Sequence, residues 1–143
     1  MRDLVVNTSQ DSDLENLFSA VDLKFDTKQQ FVDMSYRGAV TFASLNNSFE
    51  QLVKHPSFVF NMNALADFTD AYPEIEMPGI ESHAQFVQKR LSSRGSTYKL
   101  AMVTNDTLGT ALLSVYKLLM ARTPVEVEVF SRKTQAIQWL LEE

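Results

Sequence analysis

The sequence contains no cysteine in its 143 residues. Disulfide frameworks, thiol redox chemistry, a cysteine nucleophile and thiolate-based zinc sites are therefore excluded. Glycine is also scarce, with four residues that lie far apart. A phosphate-binding loop needs closely spaced glycines, because backbone amides must approach the phosphate. The sequence thus argues against ATP, GTP and dinucleotide chemistry, and no cofactor is predicted.

Positive charge and long apolar runs are lacking as well. The chain has 13 Lys and Arg against 18 Asp and Glu, which gives a net charge of −5 and a pI near 5.0. Nucleic-acid-binding domains usually carry a basic patch, so no nucleic-acid partner is predicted. No run of 18 apolar residues occurs, and the first residues lack the apolar core of a signal peptide. We therefore expect a cytoplasmic protein with no membrane span.

The composition that remains is that of an ordinary globular domain. With 45% hydrophobic and 22% charged residues, a chain of this length can bury a core without disulfides or metal. Residues 1–20 are polar and are predicted to form a loose segment. Residues 21–143 are predicted to form a single domain.

Alternating apolar residues predict two strands at the start of this domain, over 21–25 and 32–36. The polar stretch DTKQQ between them is typical of a hairpin connection, and Gly38 is expected to end the hairpin. A helical apolar spacing follows over 44–55, with Thr41 or Ser44 as its cap, and Pro56 ends that helix.

Three further strand–helix pairs are predicted along the rest of the chain. The strands are centred on 63–68, 98–103 and 125–130, and the helices are expected to start at Pro78, at Asn105 or Asp106, and at Ser131. Leu108 is placed on the inner face of the second of these helices. Charged residues alternate with valines in the last strand, which suggests a sheet edge. The order β-β-α-β-α-β-α-β-α predicts an α/β fold, with a mixed, mostly parallel sheet, an N-terminal antiparallel hairpin and helices packed on the sheet.

Polar side chains follow the predicted parallel strands, at the edge of the sheet where ligands bind in α/β folds. This polar rim consists of Asp67, Thr69, Asp70, Thr104, Asn105 and Lys133. Two interpretations are open for it. Helix capping accounts for residues such as Asn105 without any function, whereas a ligand cleft would use the whole rim.

Phenylalanine and methionine are abundant, with ten and six residues respectively. Several of them, together with a tyrosine, surround the predicted central strand: Phe58, Phe60, Met62, Phe68, Tyr72 and Met77. Core packing is one interpretation of this apolar set. The other is a pocket or docking patch, because Met and Phe side chains adapt to apolar ligands and partners.

No residue pattern predicts catalysis or metal binding. The sequence has no G-x-S-x-G turn to present a nucleophilic serine. Neither His55 nor His83 follows a predicted strand, so both are interpreted as structural or surface histidines. Glu81 and His83 lie two apart on a helix and point in different directions. We therefore predict no catalytic residue, no metal site and no enzyme activity.

The order of these segments resembles the STAS-like, SpoIIAA-like proteins of bacteria, over about residues 25–141. The resemblance depends on Gly38 before the first helix, His55-Pro56-x-Phe58 after it, the strands ALADFTDA and LAMV, and the ending VEVFSRKTQAIQWL. It implies a cytoplasmic α/β module that binds partners or apolar ligands and performs no reaction. Related antagonists of anti-sigma factors are switched by a phosphorylated serine in an Asp-Ser-Ser-Gly motif. The matching stretch here is Asp67-Phe68-Thr69-Asp70, in which Thr69 is the only hydroxyl and the one candidate phosphoacceptor.

Three hypotheses follow. The leading one is a non-enzymatic binding module that acts through a protein partner, with a homodimer as one form of that interaction and regulation as its role. The alternative is a carrier or sensor of a small apolar or lipid-like ligand, held in a cleft near residues 58–80. The third is phosphorylation at Thr69.

Overall fold

A computed structural model of the chain describes residues 19–142. The strands are β1 (Ser19–Asp26), β2 (Phe31–Val40), β3 (Asn63–Pro73), β4 (Lys99–Val103) and β5 (Glu126–Phe130). The helices are α1 (Phe42–Lys54), α2 (Met77–Gln88), α3 (Leu91–Arg94), α4 (Thr107–Met120) and α5 (Lys133–Leu141). The predicted loose segment lies outside the described residues except for positions 19 and 20, which belong to β1. The domain limits stay a prediction.

The five strands form one sheet in the order β1-β2-β3-β4-β5. β1 pairs with β2 in antiparallel fashion, and the remaining neighbours are parallel. This arrangement confirms the predicted mixed α/β fold with its N-terminal hairpin, and it places β5 at an edge. The one addition to the predicted order is α3, a single turn of helix between α2 and β4.

Both faces of the sheet are buried, and because side chains alternate along each strand, successive residues point to opposite faces. On one face, residues such as Met34, Ala66 and Met102 belong to a large core, to which α1, α2 and α4 contribute buried apolar residues. On the other face, Leu65 and Val103 belong to a smaller core with two buried residues of α5. The large core contains the cavity described below.

Two strands are longer than predicted. Gly38 was expected to end the hairpin, but β2 continues to Val40. Gly38 has a φ of 78°, which glycine adopts without strain, and the register with β3 shifts between Ser35 and Arg37. Because β2 continues, β3 also stays paired as far as Pro73. The expectation that 67–70 leaves the end of the strand is therefore wrong.

The helix starts are partly as predicted. Thr41 caps α1 through a reciprocal pair of hydrogen bonds with Ser44, and Asp106 caps α4 by accepting from the Gly109 N–H at 2.6 Å. Ser131 does not cap α5, because the cap position is one residue later, at Arg132, with no side-chain hydrogen bond. Leu108 was expected to face the core but is exposed, since it lies in the first turn of α4.

No helix within residues 19–142 is long and apolar enough to cross a membrane.

Candidate functional site

A cavity of about 80 Å³ lies in the large core, between the sheet and helices α1, α2 and α4. A cavity volume of about 10–15 Å³ is enough for one water molecule, so this larger cavity has room for a small molecule. We call it the core chamber. Its lining is mostly apolar and includes Met34, Ala64, Ala66, Leu100 and Met102 of the sheet and Phe49, Leu52 and Val87 of the helices.

A second pocket, of about 50 Å³, lies at the carboxyl end of β3 and is lined by residues such as Ala71, Tyr72 and Ile75. We call it the mouth pocket. It adjoins the core chamber, because the two share the lining residues Leu45, Phe68, Ile80 and Leu113. The apolar interior of the protein therefore contains two adjacent spaces that follow the direction of the strands.

Exposed apolar side chains occur at the same end of the sheet as the mouth pocket. Phe42, Met77 and Leu108 lie in the first turns of α1, α2 and α4, and Tyr72 lies near the end of β3. These four side chains are between 40% and 56% exposed, and we call them the apolar rim. Large apolar side chains in water at one place are typical of binding surfaces.

One charged group, Arg94, lines the mostly apolar chamber. The side chain of Arg94 is only 2% exposed, and its guanidinium lies 3.6 Å above the ring centroid of Tyr98. Its Nη2 donates to the carbonyl of Met62 at 2.6 Å. Its Nη1 has no hydrogen-bond partner, and within residues 19–142 it is the only buried side-chain nitrogen or oxygen of which this is true. Burial lowers the pKa of Arg94 to about 10, so it remains a cation at neutral pH.

Three other polar groups of the chamber, Tyr36, Ser48 and His83, form hydrogen bonds. The hydroxyl of Tyr36 lies 2.6 Å from Ser48 Oγ, which also donates to the carbonyl of Leu45 at 2.8 Å. Burial raises the pKa of Tyr36 to about 12 despite this hydrogen bond. His83 Nδ1 lies 2.7 Å from Asn46 Oδ1, and burial lowers the pKa of His83 to about 4. A neutral imidazole that donates from Nδ1 fits this geometry.

A separate polar cluster lies on the opposite face of the sheet, above α5. Lys133 Nζ is 2.6 Å from Asp33 Oδ2 and 3.8 Å from Asp67 Oδ2. Thr69 donates from both its N–H and its hydroxyl to Asp67 Oδ1, at 3.0 and 2.7 Å. The hydrogen bond to Asp33 raises the pKa of Lys133 more than its partial burial lowers it. The cluster forms because Asp33 and Asp67 point to the same face of β2 and β3.

Of the predicted polar rim, Asp67, Thr69 and Lys133 come together in this cluster. Asp70 and Asn105 are exposed. The use of the whole rim as a ligand cleft stays a prediction. Thr104 is buried, and its hydroxyl accepts from the N–H of Asp106 at 3.2 Å, just before α4. The phosphoacceptor role of Thr69 stays a prediction.

The predicted apolar set is also divided among several places. Phe68 lines both the core chamber and the mouth pocket, Tyr72 lines the mouth pocket, and Met77 belongs to the apolar rim. Phe60 and Met62 line a surface pocket of about 420 Å³ that also includes Phe25. That pocket lies near the other end of the sheet, because β1 ends and β3 begins there. Phe58 faces Arg94, with 5.6 Å between its ring centroid and the guanidinium carbon.

Sequence reasoning missed Arg94 and Asp33. Nothing in the segment LSSRG distinguishes a buried arginine from a solvated one, so Arg94 carried no signal. Asp33 did carry one, because its position between Val32 and Met34 places it on the opposite face of β2. Pairing that face with the corresponding face of β3 would have suggested its proximity to Asp67.

No protein-family model and no curated protein sequence matches this chain. Among solved structures, the fold is similar to that of an uncharacterised DUF3478-family protein from Shewanella loihica PV-4 that is described as having a SpoIIAA-like fold. The match covers 86% of this chain and 94% of the other, with a TM-score of 0.56 and 14% sequence identity. The chain therefore has a SpoIIAA-like fold, which confirms the resemblance at the level of fold.

Proposed function

We propose that the protein binds a small amphipathic molecule in the core chamber and acts as a carrier or sensor of that molecule, without performing a reaction on it. The observation that carries this proposal is the pair of adjacent apolar spaces, the core chamber and the mouth pocket. Small-molecule sites are usually apolar spaces with a few well-placed polar groups, and the chamber has that character.

Walls that face an unfilled space lack partner atoms on that side and forgo dispersion contacts. A ligand that fills the space recovers the lost dispersion contacts. The mouth pocket and the apolar rim offer a route to the chamber from solvent, with Phe68 and Ile80 lining both spaces.

Binding of two simple probes, 1-hexanol and hexanoate, tests the proposal. We expect saturable shifts of the methyl resonances of Met34 and Met102, which line the chamber, in NMR titrations. Ala66→Leu fills part of the chamber and should weaken binding of both probes about tenfold or more. Ala43→Leu makes the same chemical change on an exposed face of α1 and serves as the matched control. If neither methionine methyl shifts in a saturable way with either probe, the proposal is wrong.

A protein partner is the second candidate function, and the apolar rim is the observation that favours it. A second copy of this chain is the simplest such partner to test. Sedimentation across a concentration series should then show self-association that Met77→Gln weakens. Leu118→Gln is the control, because Leu118 is 73% exposed on α4 but lies away from the first turns that form the rim. A wild-type protein that stays monomeric at every concentration would rule out the homodimer.

A further inference from the structure

Arg94 is a buried cation without a counter-ion in the part of the chain that the structure describes. Tyr98 and Tyr116 are the ionisable groups close enough to affect its pKa, and burial raises the pKa of both phenols, so neither is an anion at neutral pH. Buried charges in proteins are normally paired, because removal of a charge from water is expensive. Here a carbonyl and an aromatic face compensate only part of that cost.

The backbone around Arg94 is fixed by contacts with the segment before β3. The N–H of Asn61 donates to the carbonyl of Arg94 at 3.1 Å, and the side-chain oxygen of Asn61 accepts from the N–H of Thr97 at 3.0 Å. Asn61 has a φ of 68° and Gly95 a φ of 94°, both in the left-handed region. These contacts fix the backbone that carries Arg94, and its contacts with Met62 and Tyr98 hold the guanidinium, as a preorganised binding group requires.

The guanidinium of Arg94, which lines the core chamber, lies at one end of the apolar space. Met62 and Tyr98, which contact Arg94, come just before β3 and β4, so the guanidinium lies toward the amino ends of these strands. The mouth pocket lies at the carboxyl end of β3, beyond Phe68. A ligand in the chamber would thus meet a cation at one end and mostly apolar side chains along its body.

From this arrangement we infer that the ligand is a small monocarboxylate, whose carboxylate accepts a hydrogen bond from Arg94 Nη1 while its apolar body occupies the core chamber. The inference rests on the proposed function and names the chemical class of the ligand. One cation with one free donor group matches a single negative charge. A phosphate would bring more charge and more acceptor oxygens than this site can satisfy.

Three probes with the same six-carbon chain distinguish the contribution of the head group to affinity from that of the apolar body: hexanoate, 1-hexanol and hexylammonium. In calorimetric titrations at pH 7, we expect hexanoate to bind at least about tenfold more tightly than 1-hexanol, because a charged acceptor pairs with the buried cation. Hexylammonium should not bind, since it brings a second cation beside Arg94. Direct contact should also shift the side-chain ¹⁵N resonances of Arg94 when hexanoate is added.

The variant Arg94→Met removes the charge and keeps an apolar side chain of comparable length. It should lower hexanoate affinity by about tenfold or more, to the level of 1-hexanol, and leave 1-hexanol binding unchanged. Arg90→Met is the matched control: the Arg90 guanidinium also lies 3.6 Å from a ring centroid, that of Phe86, but Arg90 does not line the chamber. It should keep the wild-type preference. Circular dichroism and Trp139 fluorescence check that the variants fold. If Arg94→Met does not fold, the shift of the Arg94 side-chain ¹⁵N resonances in the wild type tests whether hexanoate contacts the guanidinium.

The outcomes distinguish the two proposals. If 1-hexanol binds the wild type as tightly as hexanoate, the carboxylate inference is overturned while the proposed function stands. The same conclusion follows if hexanoate binds without shifting the Arg94 side-chain resonances. If no probe binds, the proposed function fails, and the inference fails with it.

Discussion

Acidification should destabilise this fold through His83. The ring is 8% exposed and is packed between the rings of Phe86 and Tyr116, with centroid distances of 6.1 and 5.6 Å. Its one hydrogen bond within the described residues, to Asn46, is satisfied by the neutral ring. Burial disfavours the charged form and lowers the pKa of His83 from 6.5 to about 4.

The sign and size of the effect follow from linkage between protonation and folding. Because the folded pKa lies below the unfolded one, the unfolded chain takes up the proton first as the pH falls. The contribution of His83 is therefore fully present above pH 6.5 and is lost as the pH falls from 6.5 to about 4. At about 1.4 kcal/mol for each pH unit between the two values, the loss is roughly 3 kcal/mol of unfolding free energy.

Urea unfolding at several pH values between 7 and 4, followed by Trp139 fluorescence, measures this loss. Carboxylates also titrate in this range, so the informative quantity is the difference between the wild type and His83→Gln. We expect the wild type to lose about 3 kcal/mol more than this variant between pH 7 and 4. Parallel curves for the wild type and His83→Gln would refute the reasoning.

Two further predictions concern single positions. Gly95→Ala should lower the unfolding free energy by about 2–4 kcal/mol in urea unfolding. The reason is that φ is 94° and a Cβ at this position would lie 2.7 Å from the backbone nitrogen of Asn61. A loss below about 1 kcal/mol would contradict the rigid positioning of Arg94. Lys133→Met should cost no more than about 1 kcal/mol, since its side chain is 40% exposed and partly screened by solvent. Added salt should reduce the contribution of Lys133 to the unfolding free energy further. A large loss of stability in Lys133→Met that does not depend on salt would contradict this expectation and show that the cluster with Asp33 and Asp67 is more important to folding than its exposure suggests.

The hairpin and the alternation of strands and helices could be predicted from the sequence because they depend on local periodicity. Alternate apolar residues over 32–36 indicate a strand, and Asp106 offers a cap to the helix that follows it. The strand ends at Gly38 and 67–70 were predicted wrongly for one shared reason. A glycine within a strand and a glycine in a turn look alike in sequence, and only the pairing of 37–40 with 70–73 shows that β2 and β3 continue.

The candidate site was much less accessible to sequence reasoning. Phe68 and Tyr72 were identified from their apolar character, but Phe60 and Met62, which are close to them in sequence, line a pocket near the opposite end of the sheet. Residues separated by a whole strand lie far apart in space, so closeness in sequence was misleading here. Thr104 was assigned to the polar rim, although it is buried where the chain passes from β4 toward α4.

The sequence by itself determined the class of fold and the order of its elements apart from the single turn α3, because most elements are encoded by the periodicity of their own segment. Only the tertiary structure decided that Arg94 is buried against the ring of Tyr98 and that Asp33 pairs with Lys133 of α5. Those positions depend on how distant segments pack, and packing removes water from some charges while it leaves chemically identical ones solvated. A charge that has lost its water has a higher free energy unless it is paired. The ligand class was inferred from such a charge, the buried guanidinium of Arg94.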